Sequence, residues 1–89
     1  MNWRELCELA INETDPMRAI RAATAAEQAL SQRDEELRSA ASTAGNELIN
    51  ELIRERMEIL KARSKMLEVT INAFRKVFPS VIKRYLEDF

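Results

Sequence analysis

Apolar positions recur along this chain at intervals of three and four, the spacing that lines one face of an α-helix. Trp3, Leu6, Cys7 and Ala10 form such a face and predict a short first helix over about residues 2–12. Thr14, Asp15 and Pro16 follow, an N-cap candidate ahead of a proline at the first helical position, where a missing N–H costs nothing. A second, alanine-rich helix is expected from 16 to about 43, with Ile20, Ala23, Leu30, Leu37, Ala41 and Ala44 along one stripe. Gly45 and Asn46 then offer a C-cap glycine and an N-cap asparagine back to back, which reads as a tight helix-to-helix turn. The strongest pattern runs from 46 to 78 without a breaker. Pro79 interrupts it, and Val81, Ile82, Tyr85 and Leu86 predict a last short helix over about 80–88.

The expected fold is therefore all-α and a single domain over residues 1–89. Two long helices form an antiparallel hairpin, flanked by a short N-terminal helix and by a short C-terminal helix after the proline kink. On a helical wheel the third helix centres its apolar arc on Ile49, Ile53, Leu60, Leu67, Phe74 and Val77, with Arg56 and Arg63 interrupting it seven residues apart. The second helix has Glu27 and Asp34 interrupting its own stripe at the same interval. Folding back at Gly45 sets residues whose numbers add to 90 opposite one another. That register pairs Asp34 with Arg56, Glu27 with Arg63, Leu37 with Ile53, Leu30 with Leu60 and Ala23 with Leu67. The two ion pairs are read as setting the register, since a charge inside a seam specifies alignment better than it stabilises. Two continuous helices exchanged between chains at Gly45 would make the same pairings.

Two further apolar rows flank that arc: Met57, Ile71 and Phe78 on one side, and Leu52, Ile59, Met66 and Ala73 on the other. Helix two is too thin to cover them, because ten of the twelve alanines precede residue 45. The surplus predicts an interface for a partner or a second copy built from Leu52, Met57, Ile59, Met66, Ile71, Phe74, Phe78, Val81 and Tyr85. Self-association, with a dimer favoured, completes the bundle in this reading. A chain of 89 residues has a marginal core of its own.

Composition narrows the chemistry. One Gly and two Pro leave too few turn residues for a multi-stranded sheet. Fourteen basic residues against fifteen acidic ones argue against a dedicated duplex-binding protein. Lys61, Lys65, Arg75, Lys76, Lys83 and Arg84 cluster towards the C-terminus, a possible anion contact or simply a solvated face near a helix end. With no His and one Cys, neither a metal centre nor a disulfide is expected, and no cofactor is implied. No catalytic constellation stands out from helix-surface composition, so the chain is not read as an enzyme. No secretory signal and no membrane-spanning run is visible, and a reducing cytoplasm is the expected compartment.

The Trp3-x-x-Leu6-Cys7 opening followed by Asp15-Pro16 resembles short helical-hairpin proteins of bacteria and phages, a likeness that implies no activity or site. The function expected from the residues is a small protein interaction module: an adaptor, a chaperone-like binder or an inhibitor. It would act through the apolar face of the third helix and the C-terminal segment. The alternative is a self-assembling homo-oligomer. A lesser one is weak binding of nucleic acid or an anionic surface through residues 61–84.

Overall fold

The computed structural model describes residues 2–87, with the side chains of Ser80, Val81 and Ile82 outside that description. It contains four helices, α1 (Trp3–Asn12), α2 (Pro16–Ala41), α3 (Asn46–Val77) and α4 (Pro79–Glu87), and no strand among the described residues. Residue 88, included in the expected last helix, lies outside the described residues.

Local chemistry sets most of the boundaries. The Asn2 side chain accepts a hydrogen bond from the Glu5 amide at 3.0 Å, and Asp15 accepts one from the Arg18 amide at 2.9 Å, so α1 and α2 each start on a side-chain cap. Pro16 occupies the first turn of α2, as its fixed φ favours. At the other end of the hairpin the expected capping arrangement is corrected. No described residue adopts a left-handed backbone, and Gly45, at φ −76° and ψ 171°, is the N-cap of α3 rather than the C-cap of α2. The last carbonyls of α2 are satisfied by hydroxyls: Ser42 Oγ donates to the Ser39 carbonyl at 2.7 Å and Thr43 Oγ1 to that of Ala40 at 3.3 Å. A left-handed glycine is therefore unnecessary there. Pro79 ends α3, since it lacks an N–H and drives Phe78 off helical geometry, to φ −126° and ψ 52°.

The two long helices pack antiparallel, and α1 lies against both. The buried row of α2 is Ala19, Ala23, Ala26, Leu30 and Leu37, and that of α3 is Leu52, Ile59, Met66 and Ala73. Trp3, Cys7 and Ala10 of α1 complete the core, with Ala62 and Val69 of α3 packed beside them. This corrects the expected seam. The register is as expected, because Arg56 Nε donates to Asp34 at 2.9 Å and Arg63 Nε to Glu27 at 2.8 Å. The faces are turned by one residue, so Leu52 and Ile59 are buried where Ile53 and Leu60 had been expected.

The physical reason is α1. It seats on the flank of α3 that carries Ala62 and Val69, and burying that flank draws the core row towards it, leaving the opposite flank in water. Arg56 and Arg63 consequently edge the seam instead of interrupting it. The result is elongated, with Cα extents of 52 × 31 × 15 Å and a radius of gyration of 16.2 Å. A compact chain of this length has about 12 Å.

Candidate functional site

With part of one flank of α3 covered by α1 and one row by α2, a run of apolar residues on the opposite side of α3 faces solvent. Ile53, Met57, Leu60, Leu67, Ile71, Phe74 and Phe78 are all exposed, between 40% and 65% of each residue. Their spacing alternates between four and three, with Ser64 in the place of the missing member. That is a heptad seam spanning most of α3, and among the described residues no other element buries it. At its C-terminal end the rings of Phe74 and Phe78 lie 6.0 Å apart, tilted by 32°.

Beside the stripe, α2 and α3 leave a groove of about 500 Å3. It arises because α2 offers only Ala23, Thr24 and Gln28 across from Ser64, Leu67 and Thr70, with Met66 at its base. The Glu27–Arg63 ion pair, 2.8 Å between Oε1 and Nη2, edges it. Both partners are two-fifths exposed, so this pair guides geometry more than it stabilises.

The other flank is polar and closed. Arg33 falls on the seam line of α2, three residues beyond Leu30 and four before Leu37. It reaches Glu55 of α3 through Nε at 2.6 Å and Nη2 at 3.2 Å, and Glu36 of its own helix through Nη1 at 3.0 Å. The Arg33 hydrogen bond holds the Glu55 carboxyl below its ordinary value, against the opposing effect of burial, and the Trp3 side chain adds to the lowering. Arg4 stacks over the Trp3 ring at 4.3 Å and donates to Glu58 at 2.7 Å. The Cys7 thiol is pushed up by burial and, secondarily, by the charge of Glu27, so it is held as a protonated, enclosed side chain.

The expected interface residues divide into three groups. Leu52, Ile59 and Met66 are consumed in the hairpin core, which removes them from any open surface. Met57, Ile71, Phe74, Phe78 and Tyr85 are exposed. The side chain of Val81 lies outside the described residues. Ile53, Leu60 and Leu67 were assigned to the core and instead belong to the exposed stripe, and the Arg33–Glu55 pair was missed altogether.

The basic residues are distributed over α3 and α4. Lys65 and Lys76 line a cleft beside Glu13 at the end of α1, and Lys65 pairs with Glu68 at 3.5 Å. Lys61 and Arg75 lie on the outer side of α3, and Lys83 and Arg84 on α4. Among the described residues no group of three His, Cys, Asp or Glu side chains is placed to hold a metal ion, and no helix is long and apolar enough to cross a membrane. Comparison with protein-family models, with curated proteins and with solved structures finds no match.

Proposed function

We propose that this protein is a small non-catalytic interaction module that receives a helix along the open face of α3. The observation that carries the reading is the exposed run of Ile53, Met57, Leu60, Leu67, Ile71, Phe74 and Phe78 at four-three spacing, interrupted once by Ser64. Scattered apolar residues on a surface need no explanation, but a seven-membered seam does. A 3.5-residue period is the one that holds a second helix in register over many turns. Two observations support it further. The groove at Ser64 gives the stripe a depression for an inserted side chain. Tyr85 and Leu86 of α4 present exposed apolar surface close to its C-terminal end.

An adaptor, a chaperone-like binder and an inhibitor all work through such a face, and action in the cytoplasm without a cofactor belongs to the same proposal.

The test is site-specific photo-crosslinking in cells that make the protein. A photoreactive residue at Leu60 or Leu67 is expected to give a discrete adduct, either with a different protein or with another copy of this chain. The same residue at Arg21, exposed on α2, should give none. If the stripe positions give no more adduct than Arg21, the docking reading is wrong.

A further inference from the structure

We infer that the helix received is α3 of a second copy, lying antiparallel across a two-fold axis that passes between Lys65 and Met66. The inference rests on the docking reading above and supplies its partner. It comes from the order of the stripe residues. In this one register Ile53 meets Phe78 and Met57 meets Phe74 of the other chain, while Leu60 meets Ile71. The seam's one polar member, Ser64, is met by Leu67. Every layer then contains at least one large apolar side chain, and the whole length of the stripe is used. A parallel pair would stack Ser64 on Ser64 and leave the middle of the seam without apolar contact. The antiparallel pair places a leucine there, at the mouth of the groove that Ser64 and Leu67 line.

The areas agree. The chain exposes 6764 Å2, against about 5,400 Å2 for a folded monomer of its mass. With roughly 200 Å2 for a large side chain and exposures of 40% to 65%, the stripe holds on the order of 700 Å2. Two copies then withdraw about 1,400 Å2 in total, within the size of a stable specific interface.

The flanking charges fix the orientation and provide the test. In the antiparallel pair Lys61 neighbours Glu68 of the second copy, twice by symmetry, and Arg54 neighbours Arg75, an unfavourable pairing. In a parallel pair Lys61 would instead neighbour Arg56, and Arg54 would neighbour Ile49. Lys61→Glu therefore weakens the antiparallel dimer and strengthens a parallel one, and Arg54→Glu strengthens the antiparallel dimer alone. All of these are exposed or edge positions, so the fold tolerates the exchange.

Sedimentation equilibrium of the full chain is expected to show a dimer. Its dissociation constant should rise roughly three- to ten-fold with Lys61→Glu and fall by a similar factor with Arg54→Glu, since two exposed pairs change sign in each. Leu60→Glu should abolish it. Inversion of the two charge effects overturns the orientation, and a dimer that survives Leu60→Glu, as one exchanged at Gly45 would, overturns the surface. A strict monomer removes the second copy; the docking reading would still stand if Leu60 crosslinked to a different protein, and would fall with it if Leu60 crosslinked to nothing.

Discussion

Ile59 and Leu60 are adjacent aliphatic residues of equal size, and the turn of α3 within the hairpin assigns them opposite fates. Ile59 is 1% exposed and Leu60 65%. Ile59→Ala removes three buried carbon groups at about 0.8 kcal/mol each. The cavity adds about 24 cal/mol per Å3 that the neighbours fail to fill, bringing the loss to roughly 3–4 kcal/mol. Leu60→Ala removes the same number of carbons, of which about two-thirds of the surface is already wet. The remaining loss, under about 1 kcal/mol, is partly offset by the higher helix propensity of alanine, for a net change of about 0.5 kcal/mol. A domain of this length has a total stability of roughly 4–13 kcal/mol, so the first substitution takes a large share and the second hardly registers.

The assay is urea unfolding followed by helical circular dichroism, at a protein concentration low enough that the stripe is unpaired. The slope of free energy against denaturant must stay unchanged for the midpoints to be compared. Equal losses, or a larger one at Leu60, would refute the rotated seam. They would restore the alignment in which Leu60 sits against Leu30.

Two further outcomes are expected. Gly45→Asp should stabilise the fold by about 0.5–1 kcal/mol, because Gly45 holds the N-cap of α3 at negative φ with nothing within 4 Å of an added Cβ, and an acidic cap both accepts an orphan amide and restricts the unfolded chain; a lowered thermal midpoint would contradict the cap assignment. Double-mutant cycles should rank the cross-helix ion pairs by enclosure. Arg33 with Glu55, the latter's side chain 22% exposed, should couple by about 1 kcal/mol, and Glu27 with Arg63 by about 0.3–0.5 kcal/mol. Glu55 is depressed in the folded chain, so its share of stability is present above its unfolded value near 4.3 and is lost as pH falls through the lower folded one. The Arg33–Glu55 coupling should accordingly vanish in acid. A coupling unchanged there, or an undetectable one for Glu27 with Arg63, would count against the enclosure of the first pair or the register role of the second.

The four helices and the hairpin register were legible because they rest on local signals: Asp15-Pro16, Pro79, and acids and bases repeating at the same interval on both long helices. The rotation of α3 was not. A helical wheel locates the middle of an apolar arc, and the arc of α3 spans three rows, any of which could face α2. The choice is made by α1, distant in sequence, through the seat that Trp3 and Cys7 require. One signal did point to it. The buried row of α2 has its own four-three spacing through Ala19, Ala23, Ala26 and Leu30, and that spacing next lands on Arg33, not on Asp34. A charged residue on a seam line must be answered from the facing helix, and Glu55, not Arg56, lies on the correct flank to do so. The capping role of Gly45 was misplaced for a different reason. Glycine is the usual residue for a left-handed cap, but the Ser42 and Thr43 hydroxyls meet that need by another route.

The open face of α3 then follows from lengths and side-chain sizes. At 1.5 Å per residue, α3 is about 48 Å long and α1 about 15 Å, so α1 can cover no more than a third of one flank. The polar contacts that hold α1 in place, Trp3 to Glu55 and Arg4 to Glu58, bind it to the flank away from the stripe. Helix α2 runs the necessary length, but its facing residues are largely alanines, which close the distance between the helix axes without reaching around α3. A long helix packed against small residues is approached closely over a narrow arc and leaves the rest of its circumference bare. The exposed seam is thus a consequence of the alanine-rich half of the chain as much as of the apolar half. Enlarging the exposed α2 side chain at Thr24 would fill the groove and deny the same space to a partner helix.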